Sequence, residues 1–219
     1  MSIDHYEAER EEAYDEFVSS LAEELYEEHR GQAIDEFVTE RLQSYYRSNP
    51  FIATKAVNFL TLSSMRVSSD PTASLLYSAI GTEVILKSVI LKPIVSGLVH
   101  SESVAELIST LLVKQTGVDR FKDLIFRILE DNIEIPVGAA KYCRENSNTS
   151  LWKERETIQA LRNKIAHQAN TCSVQDAELS YQVAKAFFEL TEKLIKNLGF
   201  YFDDDFKITD TQRNQELLF

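Results

Sequence analysis

Between Asp4 and Tyr46 apolar side chains recur three and four positions apart: Tyr14, Phe17, Val18, Leu21 and Leu25, then Ile34, Phe37, Val38, Leu42 and Tyr45. That spacing lines one side of an amphipathic helix, with Gly31 as a place to bend. Asn49-Pro50 reads as an N-cap followed by Pro at the first helical position and predicts a helix to about Val67. Asp70-Pro71 repeats the signal and opens a helix through Leu91, expected to stop at Pro93. Residues 93–149 carry turn signals around two shorter helical segments, near Glu102 to Val113 and Asp119 to Asp131, and read as an insertion. Leu151 to Gln168 is a further helix. Ser173 with Asp176 resembles a capping box opening the last one, which ends at Gly199. The stripe Ala177, Tyr181, Ala184, Phe188, Ile195 and Leu198, broadened by Phe187 and Leu194, is wide enough for the middle of a bundle. From Tyr201 on, with Asp203 to Asp205, the chain turns polar, and a loosely attached tail is expected. No stretch alternates apolar with polar long enough for a sheet. The pattern predicts an all-α chain in three parts: a helical extension over 1–47, a helical bundle over 48–199 with its insertion at 93–149, and a tail over 200–219.

Only 6 Gly and 4 Pro in 219 residues leave little material for turns, which again favours long helices. Apolar residues at 44% and charged residues at 26% are ordinary for one globular domain with additions. Cys143 and Cys172, without CxxC spacing, argue against a disulfide scaffold, a redox pair or a zinc site and fit a reducing cytoplasm. The segment Met1 to Arg10 is acidic, where a targeting peptide would be basic with an apolar core behind it. The longest apolar run, Val89 to Val99, is interrupted by Lys92 and Pro93 and is too short for a bilayer. A soluble cytoplasmic protein with no membrane contact is expected.

A net charge of −12 would normally count against a nucleic-acid partner. Its distribution changes that: residues 1–47 hold 14 acidic and 4 basic side chains, net −10, and residues 48–219 hold 21 and 19, net −2. From Lys141 to Lys164 six basic residues (Lys141, Arg144, Lys153, Arg155, Arg162, Lys164) face three acidic ones (Glu145, Glu154, Glu156), net +3. This is the stretch that suits an anionic ligand.

Within it, Glu156 to Ala169 reads ETIQALRNKIAHQA. At about 100° per residue, with Leu161 at zero, Ile158 and Ile165 fall near 60° and 40° and define a buried side, whereas Asn163 and His167 fall near 200° and 240°. Arg162 lies on the flank at about 100°, and Glu156 shares the Asn163 and His167 face. Ala160 and Ala166 border that face and leave room for a second helix or a ligand. A solvated helix face with an incidental histidine is the plain alternative. In the helix from Pro71, Glu83 and Lys87 stand four apart within the stripe of Leu76, Ile80, Val84 and Leu91, where charges need partners. They form an ordinary intrahelical pair or support a site.

Arg162-Asn163, three residues, then His167 resembles the signature of the HEPN superfamily (higher eukaryotes and prokaryotes nucleotide-binding): an Arg followed by a polar residue, often Asn, and then a His. AIGTEVILKSVIL, with Glu83 and Lys87, resembles the second helix of HEPN domains. The resemblance runs from about Pro50 to Gly199 and leaves out 93–149 and the acidic first 47 residues. It implies an up-down helical bundle, a homodimer whose two motif faces form a composite cleft, and metal-independent endoribonuclease activity leaving 2′,3′-cyclic phosphate and 5′-OH ends, in a toxin or phage-defence setting with an antitoxin or regulatory protein as a possible partner. In HEPN toxins paired with nucleotidyltransferase antitoxins a Tyr follows two residues after the His; here that position is Ala169.

The chemistry can be read from the residue types. RNA carries its own nucleophile, the 2′-OH, so cleavage needs a base, a cation over the phosphate and a proton donor for the leaving oxygen. Histidine is the residue type suited to proton transfer at neutral pH, and the motif supplies His167 for that role. Arg162 offers a planar fork to two phosphate oxygens, and Asn163 an amide to hold imidazole or phosphate. Glu83, Lys87 and Glu156 would support the site, and Lys141, Arg144, Lys153, Arg155 and Lys164 would form an RNA-binding rim. No metal and no cofactor is expected. Two other readings stand beside this one: a non-catalytic HEPN-like dimerisation or nucleotide- or RNA-binding module, and a helical adaptor whose acidic N-terminal segment binds a basic partner.

Overall fold

The computed structural model describes residues 39–98, 118–133, 135 and 138–210. The expected helices between Asp4 and residue 38, the bend at Gly31 and the segment from Glu102 to Val113 lie outside the described residues. The chain divides into two units, Met1–Arg41 and Leu42–Phe219. The boundary therefore falls six residues before the one expected at 47, because Leu42 and Tyr46 are core residues of the second unit.

Residues 39–48 are helical (α1), and from Leu42 on they belong to the second unit. There follow α2 (Thr54–Ser64), α3 (Pro71–Val84), a π-helical turn (Ile85–Leu91), α4 (Lys92–Leu98), a 3₁₀ turn (Val118–Phe121) leading into α5 (Lys122–Asn132), another 3₁₀ turn (Ala139–Lys141), α6 (Leu151–Gln168) and α7 (Val174–Asn197). A two-stranded antiparallel sheet, β1 (Tyr201–Phe202) and β2 (Ile208–Thr209), closes the order. The chain is mostly helical, as the patterning predicts, with this small sheet added.

At the centre α3 packs against α2, α6 and α7. Small side chains allow the close approach. A Cβ on Gly81 would meet Leu60 Cδ1 at 2.7 Å, so α2 and α3 pack closely there and a larger residue would have to displace the Leu60 side chain. The Ser63 and Ser74 hydroxyls donate to each other's carbonyls at 3.0 and 2.9 Å, and the Ser78 and Ser180 hydroxyls meet at 2.6 Å across α3 and α7. These four buried hydroxyls are thereby satisfied. Trp152, 1% exposed, anchors α6 edge-on against Phe126 of α5 and Phe187 of α7. The part of the expected insertion that forms α5 is thus built into the core.

Three expectations are corrected. The helix predicted from Pro50 begins only at Thr54, after a turn over residues 50–53, and ends at Ser64. Pro93 does not stop the helix that starts at Pro71. The π-helical turn ahead of it shifts the hydrogen-bond ladder, with the Lys92 N–H reaching Lys87 O, and helix continues into α4. Pro93 has no N–H to offer the ladder, and in the turn ahead of it the Tyr46 hydroxyl donates to Val89 O at 2.8 Å. Burial holds the Tyr46 phenol far above its ordinary range, so it stays a donor. Finally, residues 200–210 are not loose: Phe202 stacks on Phe188 with centroids 5.5 Å apart, Ile208 is buried, and its N–H donates to Pro50 O at 2.8 Å, while 211–219 of the expected tail lie outside the described residues.

The run Pro71–Ser96 is consequently 26 residues long, with mean hydropathy 1.5 over its most apolar 18 residues, long and apolar enough to cross a membrane by length and composition alone. Its most apolar window is 67% buried among the helices around it. Tyr46→Phe is expected to cost about 1 kcal/mol by removing its buried hydrogen bond to Val89 O, read as a lower melting temperature. Unchanged melting of Tyr46→Phe would mean that Val89 O finds another donor.

Candidate functional site

α6 runs from Leu151 to Gln168, the bounds the sequence predicts, and its two halves differ. Every buried residue lies in the first half: Leu151, Trp152, Glu154, Arg155 and Ile158. From Gln159 on none is buried; Leu161, Arg162 and Ile165 are half-buried, and Ala160, Asn163, Lys164, Ala166 and His167 are exposed. The motif therefore sits where the helix leaves the cover of the bundle, with Asn163 and His167 on the solvent side, as the helical phase requires. Its end is sharp, because Ala169 takes the left-handed conformation at φ 53°. Glycine is the usual residue there, and a Cβ makes the conformation costly.

Arg162 and Asn163 are joined: the Arg162 guanidinium donates to Asn163 Oδ1 at 3.3 Å, and the Gln159 amide reaches the same oxygen at 3.5 Å. Asn163 Oδ1 is thus turned toward the cation, which leaves the amide N–H groups as the part able to meet an anion. Gln159 is a member of this strip that sequence reasoning missed. Its i,i+4 spacing from Asn163 was the available signal. His167 has no hydrogen-bond or ion-pair partner among the described residues, and Glu156 is exposed on the same face.

The supporting pair forms but stands apart. Lys87 Nζ lies 2.6 Å from Glu83 Oε1, with Lys87 largely buried in the π-helical turn. The Cys172 N–H meets Thr72 Oγ1 at 3.4 Å, which places the motif end of α6 beside the start of α3. Glu83 comes eleven residues after Thr72, about 16 Å along the helix. The pair is carried toward the far end of α3 from the Thr72 contact.

Of the basic residues expected at a rim, Lys141, Lys153 and Lys164 are exposed. Arg155 is not on the surface: it is 6% exposed, paired with Asp119, and its guanidinium lies 4.8 Å from the Trp152 ring centroid. Arg144 is turned inward as well, donating from Nε and Nη2 to the buried Glu154 carboxylate at 2.9 and 3.1 Å, with Ser147 Oγ adding a third donor at 2.8 Å. Both arginines lock the 118–121 and 142–147 segments onto α6. Their partners lie 36 and 10 positions away in sequence, outside any local pattern.

Among the described residues no three His, Cys, Asp or Glu side chains converge as metal ligands. One carboxyl titrates near neutrality: burial, with the charge of Glu189 adding and Lys185 opposing, pushes Glu192 up to about 7 from the ordinary 4.5. It stands nineteen residues after Ser173, about 28 Å along α7, away from the motif end. The folded chain holds this proton more tightly than the unfolded chain. Its contribution to stability is therefore fully present below about pH 4.5 and lost as pH rises through 7. Glu192→Gln is expected to match wild type near pH 4.5 and to exceed it above pH 7 by about 1 to 2 kcal/mol, allowing for screening of a partly exposed group. Denaturant titrations at the two pH values check it; equal gains at both would remove the carboxyl's titration as the cause.

Compared with known protein families, with curated proteins and with solved structures, the chain gives no match.

Proposed function

We propose that the protein is a metal-independent endoribonuclease of HEPN type, acting as a homodimer. The observation that carries the reading is the strip on the uncovered half of α6: Arg162 hydrogen-bonded to Asn163, and His167 on the same side one turn on. Arg162 holds the scissile phosphate, Asn163 directs its amide at the same group, and His167 takes the proton of the attacking 2′-OH. One imidazole cannot serve as base and acid in a single displacement, so the second protomer's strip supplies the acid that protonates the leaving 5′ oxygen. The products are a 2′,3′-cyclic phosphate and a 5′-OH. The small residues Ala160 and Ala166 let two such helices approach. Lys141, Lys153 and Lys164 are the cations left to track RNA, and cytoplasmic action as a toxin or defence effector under an antitoxin or other regulator is the setting that the resemblance suggests.

Incubation with total RNA in EDTA, followed by end-group analysis, tests the activity. Sedimentation tests the assembly, and mixing tests the composite site: because each cleft needs a histidine from both chains, His167→Ala chains exchanged into the wild-type dimer are expected to lower the activity below the share of wild-type chains present. A fully active monomer would refute the composite site. The lack of any described partner orienting His167 favours a second reading, a non-catalytic dimerisation or RNA-binding module. RNA binding without cleavage, unchanged by His167→Ala, is its signature.

A further inference from the structure

The turn between α1 and α2 forms one side of a recess whose other side is the π-helical turn and the start of α4. Its volume is about 420 Å³, within the roughly 300–1,000 Å³ range of small-molecule sites. Lys55, in the first turn of α2, and Lys92, the first residue of α4, both border it, and among the described residues no carboxylate does. Lys55 and Lys92 form no ion pair among the described residues, so the recess keeps two positive charges that its own lining does not offset. Two uncompensated cations held on separate elements at one concavity attract an anion between them. Ser48 and Ser88 bring hydroxyl donors to the same recess, and Tyr45 and Phe51 bring aromatic surface, with Phe51 58% exposed.

These walls are braced. Pro50 O accepts the Ile208 N–H at 2.8 Å, Lys207 Nζ lies 5.6 Å from the Phe51 ring centroid, and the Tyr46 hydroxyl pins Val89 O in the π-helical turn. A site held in place before its ligand arrives loses less to ordering on binding. Irregular π-helical turns are also frequent at functional sites.

We propose that this recess binds a phosphorylated aromatic ligand of the nucleoside monophosphate class, with the phosphate between Lys55 and Lys92, Ser48 and Ser88 as further donors, and the base on Phe51 and Tyr45. The site shares no residue with α6 and stands whether or not the protein cleaves RNA. Calorimetric titration of the full chain with AMP, adenosine and inorganic phosphate tests it. AMP is expected to bind, and adenosine and phosphate each to bind about tenfold more weakly or worse, since each lacks one half of the recognition. Lys55→Ala and Lys92→Ala should each weaken AMP about tenfold, with Lys196→Ala on α7 as the unaffected control. A short RNA with a 5′ phosphate that binds more tightly than both AMP and its 5′-hydroxyl counterpart assigns the recess to an RNA end; preference for AMP assigns it to the free nucleotide. Absence of phosphate-dependent binding, or binding that survives the double substitution of Lys55 and Lys92 by Ala, overturns the proposal.

Discussion

Replacing His167 with alanine is expected to lower RNA cleavage by about 10²- to 10⁴-fold, the usual contribution of a positioned acid or base. Arg162→Ala should lower it by about 10²- to 10³-fold, through loss of the charge that stabilises the transition-state phosphorane. Neither change should disturb the fold. His167 is exposed and Arg162 half-buried, and no buried residue of α6 lies beyond Ile158, so both variants should melt within about 0.5 kcal/mol of wild type. Single-turnover cleavage of a defined RNA, with helical circular dichroism on the same samples, separates the outcomes. A well-folded His167→Ala protein that cleaves at the wild-type rate removes the histidine from the mechanism, whereas an unfolded one makes it a structural residue. Asn163→Ala should reduce activity less, since its loss frees the Arg162 guanidinium without removing charge.

The second large effect concerns Arg144. Sequence reasoning puts it at an RNA-binding rim, but its side chain is spent on Glu154, which is 7% exposed. Arg144→Ala would leave a buried carboxylate with Ser147 as its only remaining partner of the three that bond it, and a buried charge stripped of its partner costs about 3 to 5 kcal/mol. For a chain of this size that lowers the melting temperature on the order of 10 °C. Exposed Lys141→Ala and Lys153→Ala should melt like wild type. Replacing Arg144 and Glu154 together by apolar residues should recover much of the loss, because the desolvated charge goes with its partner. If Arg144→Ala instead melts normally and only RNA binding suffers, the arginine belongs to the rim after all.

How much of the candidate site could be read in advance follows from where its contacts come from. Arg162, Asn163 and His167 sit within six residues on one helix, and the 3.6-residue period settles which way each points; the strip was legible for that reason, apart from Gln159. Which charges beside it stay free was not. Lys153 and Arg155 look equivalent in sequence, yet one is exposed and the other is covered by Asp119 and Trp152, because neighbours brought in by the 118–121 segment decide it.

The same division runs through the whole chain. Local rules sufficed wherever a signal and its effect lie within one or two helical turns. The Ser173–Asp176 capping box starts α7, Asp70 caps α3 ahead of Pro71, Gly199 takes φ 85° just past the last helix, and α6 keeps its predicted ends. Tertiary contacts decided the rest. Pro93 reads as a stop because its missing N–H breaks the ladder; a π-helical turn shifts that ladder ahead of it, Tyr46, 43 positions earlier in the chain than Val89, pins the turn through Val89 O, and the helix goes on. The chain after Gly199 reads as a loose polar tail because two strands of two residues are too short to show alternation. Phe202 and Ile208 find the core through Phe188 and Pro50 instead. Periodicity reports which face of an element is apolar, but only packing brings distant donors and charges together, and those pairings determine which breaks in a helix are tolerated and which cations remain for a ligand.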